Sequence, residues 1–263
     1  MIRLIALDLD DTLLMPDCTV PEDTLDVLRK ADERGARIVI ATGRIFPSAK
    51  MYAELLGTDC PVICYNGAMI RSAGGETLYS EMLHPDILRR MAVFCRERGL
   101  YLQLYDEDDI VVEEICEATL IDPDAKVTKI REAGDLTRAE LHPSPKMMIL
   151  DDPERIPEIR SEAQALFGEE LYLAQSKDYL LEMMPAGVSK RETLRRFAES
   201  LGIRREEVMA CGDNTNDLEM VEWAGLGVAV ANAVPELKAK ADYAAESERS
   251  EGVAEAVRKF VLI

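Results

Sequence analysis

No run of about 18 apolar residues occurs in this sequence, so it offers no helix able to span a bilayer, and no membrane partner is expected. Met1-Ile2-Arg3 leads directly into a short apolar stretch without the small-residue cleavage site of a secretory leader, and a cytoplasmic location is expected. Cysteine is sparse. The six (Cys18, Cys60, Cys64, Cys95, Cys116 and Cys211) are scattered, and the closest pair, CPVIC, has neither the CxxC spacing nor the second half of a zinc site. Free thiols in a reducing compartment fit that pattern. Basic residues are outnumbered, 31 Lys and Arg against 50 Asp and Glu, and the net charge of −19 disfavours nucleic acid, because such a surface repels phosphate backbones. An anionic substrate must therefore find a locally positive pocket. The two histidines, His84 and His142, lie outside every motif described below and are assigned no chemistry. There is no internal repeat and no low-complexity tract.

What is present is a chain of 263 residues, 48% hydrophobic, long enough for one large domain or two modest ones. LIALDL reads as a central parallel strand, because a short, nearly all-apolar run suits a strand covered by helices on both faces. PEDTLDVLRKADERG follows with proline first, acids early, bases late and Gly35 as a stop, all helix-end preferences. RIVIAT, FPSAKMYAELLG and PVICYN continue as strand, helix and strand, and the alternation implies a doubly wound parallel sheet. MIRSAGGETLYS then reads as a hairpin turning at Ala73-Gly74-Gly75.

From His84 the rhythm changes. DILRRMAVFCRERG and PERIPEIRSEAQALFG are helices among closely spaced strands at YLQLYD, DIVVEE, AKVTKI, KMMILD, ELYLAQ and YLLEMM. This segment reads as an inserted α+β domain. After Met184-Pro185-Ala186-Gly187 the parallel-sheet rhythm returns, with helices at SKRETLRRFAESLG, NDLEMVEWAG, PELKAKA and EGVAEAVRKFV and strands at EVMACGD and LGVAV. The expected fold is α/β: a Rossmann-like doubly wound core of residues 1–83 and 187–263, with residues 84–186 inserted as a cap.

Ligands of such sheets sit beyond the carboxyl ends of the strands, where Asp8, Asp10, Thr42, Asn66 and Asp213 each follow an apolar run. Acids gathered there repel one another unless a cation intervenes. Mg²⁺ meets that need, since it takes one or two carboxylates, waters and a substrate phosphate oxygen. An ionised aspartate can attack phosphorus without a base to activate it, and a second acid two residues on can protonate the leaving oxygen and later deprotonate water. That division requires the chain to turn away after Asp8, because residues two apart on a continuing strand face the same way. Thr42 and Lys190 would supply a hydroxyl and an ammonium to the phosphoryl oxygens. The unfavourable placement of Lys190 at a helix start hints at a bound anion.

DLDDTLL, ATGR, GVSK and GDNTND, in that order, resemble the four motifs of the haloacid dehalogenase superfamily of phosphatases. The large insert resembles the cap of its Cof-like branch. The resemblance runs from Asp8 to Asp217 and implies that Asp8 is the nucleophile and Asp10 the general acid and base. It implies a Mg²⁺ held by the Asp8 carboxylate, the Asp10 backbone carbonyl and Asp213. Thr42, Gly43 and Lys190 would bind phosphate, with Asn216 close by and Asp217 orienting Lys190 or the metal shell. Two departures stand out: Asp11 where the family often has glycine, and Arg191 where a small residue is common. Arg44 and Asn66 are open between substrate contact and purely local roles. YDEDD is expected at a hairpin tip that could face the leaving group, and Met183 and Met184 are expected to pack between the domains.

The implied activity is hydrolysis of small phosphorylated metabolites, sugar phosphates foremost, through an aspartyl phosphate, by a monomer or small homo-oligomer. Two alternatives stay open at this point: a phosphomutase sharing the aspartyl-phosphate step, and a catalytically silent phosphate-ligand sensor.

Overall fold

A computed structural model describes residues 1–263 apart from Pro123. The first half of a large sheet is laid down by β1 (Leu4–Leu7), α1 (Glu22–Glu33), β2 (Arg37–Ala41), α2 (Phe46–Leu56), β3 (Val62–Cys64), β4 (Met69–Arg71) and β5 (Thr77–Ser80). The insert follows as α3 (Pro85–Arg98), β6 (Tyr101–Asp106), β7 (Asp109–Val112), α4 (Glu117–Ile121), β8 (Ile130–Glu132), β9 (Met147–Leu150), α5 (Ile156–Phe167), β10 (Leu171–Ala174) and β11 (Leu180–Pro185). The large sheet is then completed by α6 (Lys190–Ser200), β12 (Val208–Gly212), α7 (Leu218–Trp223), β13 (Leu226–Ala229), α8 (Pro235–Lys238), β14 (Tyr243–Ala244) and α9 (Arg249–Phe260).

The large sheet has the order β14-β13-β12-β1-β2-β3-β4-β5, parallel from β14 to β3 and antiparallel through the β4–β5 hairpin. All four residues of β1 are fully buried, which answers why LIAL carries no polar side chain: Ile5 and Leu7 pack into one helical layer, Leu4 and Ala6 into the other. The chain leaves β1 toward β2 on one side and returns much later as β12 on the other. Strand order therefore reverses at the carboxyl end of β1, where a doubly wound sheet opens a crevice for ligands.

The second sheet, β10-β11-β9-β6-β7-β8, is antiparallel except for the β7–β8 pair. Alternation along its strands sorts side chains to two faces. Leu102, Leu104, Met147, Ile149, Leu181 and Met183 bury against α3 and α5. Gln103, Met148 and Glu182, side by side in the pairing register, occupy the opposite face. Met183 thus belongs to the insert's own core and only Met184 joins the cluster of the large sheet, so the expected pairing of both methionines between domains is half right. One strand is displaced from its expected place. AKVTKI has the pattern of a strand, but pairing with β7 begins only at Ile130, and the short helix α4 before it shows no apolar period in five residues.

Candidate active site

β1 ends at Leu7, and the chain turns at once, with Asp10 extended and Asp11 at φ 60° in the left-handed region. Aspartate tolerates that region better than most residues, which lets Asp11 stand where glycine is the freer choice. The turn separates the two motif acids. Asp8 stays buried at the strand end, whereas the Asp10 side chain swings out, 45% exposed, into a two-point grip by Arg44: Nε donates to Oδ2 at 2.9 Å and Nη2 to Oδ1 at 2.6 Å. Asp11 faces away and accepts from Lys177 at 2.9 Å and Arg249 at 3.1 Å.

Lys190 is the first residue of α6, behind the cap Ser189, whose Oγ accepts from the Glu192 N–H at 3.2 Å. Its buried ammonium donates to Asp8 Oδ1 at 2.6 Å and to Asp217 Oδ1 at 2.7 Å. The anion hinted at by a cation on a helix start is thus supplied by the protein's own carboxylates. Two glycines allow the approach. A Cβ on Gly67, at φ +108°, would meet the Ser189 carbonyl at 2.4 Å, and one on Gly212 would meet the Asp217 Cβ at 2.5 Å. Arg191 points away from this cluster, 3.6 Å from Glu219, so its bulk does not obstruct the Lys190 position.

Asp217 Oδ2 accepts from the backbone N–H of Asp213 and of Asn214, and Thr12 Oγ1 donates to Asp213 Oδ1 at 3.0 Å. Carboxylate oxygens of Asp8, Asp213 and Asp217 all lie within 4.8 Å of one another. Burial first, then the Asp217 charge, drives the Asp8 carboxyl well above the ordinary carboxylate range despite Lys190. The same two causes push Asp213 up to about 7. Burial opposes the Lys190 charge, but Asp217 and Asp8 outweigh it and raise that ammonium. Three buried carboxylates around one ammonium leave an excess of negative charge, and an oxygen-only donor set with that excess fits a hard divalent cation.

The remaining expected residues fall on the same edge with different exposures. Thr42 is fully buried and its Oγ1 accepts from the Arg44 N–H at 3.2 Å. Gly43 and Asn216 line the cavity above Asp8. Asn66 is buried, accepting from Asn216 Nδ2 at 3.4 Å. Arg44 lines the cavity as the partner of Asp10. YDEDD does form the β6–β7 tip, but it docks on the large sheet: Asp108 pairs with Arg71 at 2.6 Å, and Tyr65 donates to the Glu107 carbonyl at 2.9 Å. No residue of that tip lines the cavity, so its expected view of the leaving group is not realised.

The inserted domain closes over this edge. A cavity of about 110 Å³ lies between the two sheets, with Asp8, Asp10 and Asp213 on one side and Asp124, Lys146, Lys177, Tyr179 and Glu182 on the other. Sequence reading missed this second wall. Its signal was a charged residue inside an apolar strand, Glu182 in LLEMM, and a lysine opening one, Lys146 before MMIL.

The haloacid dehalogenase-like hydrolase family matches residues 5–257. The chain belongs to that family. YxeH of Bacillus subtilis is 32% identical over 272 residues, spanning 100% of this chain and 99% of that protein. A phosphoglycolate phosphatase of Methanothermobacter thermautotrophicus is 30% identical, covering 98% of this chain and 99% of its own. The crystal structure of a haloacid dehalogenase-like hydrolase from Bacteroides thetaiotaomicron superposes with a TM-score of 0.86 at 31% identity, over 98% of this chain and 99% of that one. The haloacid dehalogenase-like fold, with its parallel-sheet core and Cof-like insert, is therefore the frame of the site, and the protein is a phosphatase of that family.

Proposed function

We propose that this phosphatase hydrolyses small phosphomonoesters by carrying the phosphoryl group transiently on Asp8, inside the cytoplasm and with Mg²⁺ as its cofactor. The observation that carries the reading is the buried Asp8–Lys190–Asp217 cluster beneath a cavity closed by a second domain. Residues 84–186 act as the cap and residues 1–83 and 187–263 as the catalytic core. A cavity of about 110 Å³ suits a small metabolite better than a macromolecular ester.

Lys190 holds Asp8 Oδ1, which aims the other carboxylate oxygen at the cavity as the nucleophile. That oxygen attacks phosphorus while the ester P–O bond breaks, and Asp10 gives a proton to the departing oxygen. Asp10 then takes a proton from water, whose oxygen attacks the same phosphorus and returns Asp8 as a carboxylate with release of inorganic phosphate. Arg44 holds Asp10 at the rim until the ester is seated, Gly43 and Asn216 border the phosphoryl site, and Thr42, buried behind them, braces the Arg44 main chain. Asp8, the Asp10 main-chain carbonyl and Asp213 would hold Mg²⁺, which supplies positive charge against the phosphoryl oxygens. Asp217 orients Lys190.

Phosphate release from sugar phosphates, nucleotides and phosphorylated cofactors, with Mg²⁺ or EDTA, tests this reading in wild type and Asp8→Asn. Metal-dependent release lost in the variant supports it. Full turnover by Asp8→Asn would sink the covalent route.

A further inference from the structure

Two carboxylates on the insert's wall of the cavity have one oxygen each engaged and one left over. Asp124 Oδ2 accepts from the Ile45 N–H at 3.1 Å, while Oδ1 has no hydrogen-bond partner among the described residues, although Ser48 lies close enough to favour the charge of the carboxylate. Glu182 Oε1 accepts from Lys146 at 2.9 Å, while Oε2 likewise has none, although Ser176 and Asn66 lie close enough to favour its charge. Both residues line the cavity, and each is more than nine-tenths buried, Asp124 at 4% and Glu182 at 2% exposure. A buried carboxylate oxygen without a donor is costly, so a site that retains two of them is built for donors that arrive with the ligand.

The cations nearby are already taken. Lys146 donates to Glu182 and to the Gly43 carbonyl at 2.8 Å and lies 5.1 Å over the Tyr105 ring, and Lys177 is paired with Asp11. Asp122 is likewise engaged, accepting from Gln103 at 2.6 Å, from Tyr105 and from the Asp124 N–H. Arg44 is held by Asp10, so a leaving group with its own carboxylate would face Asp124 and Glu182 with no unpaired cation among the described residues lining the cavity. One with an ammonium would approach Lys146. Hydroxyls suit both surroundings, since each donates to one oxygen and can accept from a neighbour, and Met148, Leu180 and Tyr179 offer apolar contact to the carbon skeleton.

We propose that Asp124 and Glu182 are the specificity-determining residues of this phosphatase, and that they select a small polyol phosphate whose leaving-group hydroxyls donate to Asp124 Oδ1 and Glu182 Oε2. The inference rests on the phosphatase reading and narrows it to neutral, hydroxyl-rich leaving groups.

Three four-carbon esters test it: erythritol 4-phosphate, n-butyl phosphate, which lacks the hydroxyls, and erythronate 4-phosphate, which carries a terminal carboxylate. Acetyl phosphate serves as a reference with no hydroxyl. Wild type should prefer erythritol 4-phosphate over each of the other two esters by at least about tenfold in kcat/KM, because a site with buried polar groups discriminates against a ligand that leaves them unpaired. Asp124→Asn and Glu182→Gln should each lower the erythritol-to-butyl ratio at least about fivefold and relax the penalty on erythronate 4-phosphate. Equal turnover of butyl and erythritol esters by wild type overturns the proposal, and so does an unchanged ratio in both variants. Wild type alone decides if a variant fails to fold. Absence of phosphate release from every compound, acetyl phosphate included, would instead remove the phosphatase reading beneath it.

Discussion

Lys177, in the loop between β10 and β11, places its ammonium 2.9 Å from the Asp11 carboxylate in the turn behind β1. This ion pair ties the insert to the large sheet through the residue that departs from the family's usual glycine. It also lowers the Asp11 carboxyl against the opposing effect of burial, with Arg249 adding to the pull. The backbone strain of an aspartate at φ 60° is therefore offset by contacts that glycine could not make.

Both partners are partly exposed, Lys177 at 41% and Asp11 at 36%, so the pair contributes no more than about 1 kcal/mol. Lys177→Ala should leave the unfolding temperature nearly unchanged. If the pair biases closure of the insert, losing it raises KM about threefold to fivefold with kcat preserved, the factor that 1 kcal/mol of closing equilibrium represents. Steady-state kinetics at low and moderate salt check this, because added salt should shrink the difference between variant and wild type. An unchanged KM at low salt would mean that the pair does not govern closure.

Asp8→Asn separates catalysis from stability. Burial and the Asp217 charge hold the Asp8 carboxyl well above its ordinary value, so folding disfavours its charged form relative to the unfolded chain. In the pH range above the unfolded value of 3.8, an ionised Asp8 costs stability that a neutral asparagine does not. In EDTA at neutral pH the variant should melt higher than wild type, with the gain shrinking as pH falls toward 4 and wild type protonates. Turnover should fall by at least about a thousandfold, since no nucleophile remains. Scanning calorimetry beside phosphate release reads both, and a variant that melts lower than wild type in EDTA contradicts the electrostatic account.

The acidic cluster makes a parallel claim about metal. Ligands that bind only the folded state raise its melting temperature by mass action. Mg²⁺ at millimolar concentration should raise the wild-type melting temperature by several degrees, and Asp213→Asn should abolish most of that rise. Asp217 accepts from Lys190 and from two backbone N–H groups, so Asp217→Asn should disturb Lys190 and lower stability even without metal. The thermal shifts of the two variants, with and without Mg²⁺, distinguish a metal ligand from an organising residue.

The alternation of apolar strands with helices was enough to place β1, β2, β3, β12 and β13, because buried parallel strands leave continuous apolar runs between helix caps. Asp8, Asp213 and Lys190 were legible for a related reason: each is a charge where an apolar strand ends or a helix begins, and only convergence with distant groups makes such charges tolerable. The opposite wall was not legible. Gln103, Met148 and Glu182 become neighbours only through the register of three antiparallel strands, a pairing that no local pattern specifies. Asp122 caps a short 3₁₀ turn that contains Asp124, too brief to show a period, and the partners of Asp122, Gln103 and Tyr105, lie on a strand 17 to 19 residues away.

Asp124 also gives the stability a pH dependence of known sign. Its carboxyl is pushed up to about 6, by burial first and by Asp122 second, with Lys146 pulling the other way. Arg44, Tyr65 and Tyr105 also lie close enough to feel the Asp124 charge. The folded state therefore binds a proton that the unfolded chain releases near 3.8, and between these values stability falls as pH rises. Above about pH 6 the ionised Asp124 lowers the stability of the fold, and the whole cost disappears below about pH 4. Asp124→Asn has no proton to lose, so its melting temperature should exceed that of wild type at pH 7.5 and approach it at pH 4. Calorimetry of the two proteins across that interval measures the difference directly. A gap that widens toward low pH would mean that Asp124 is held as a favoured carboxylate, with its second oxygen satisfied by the protein itself.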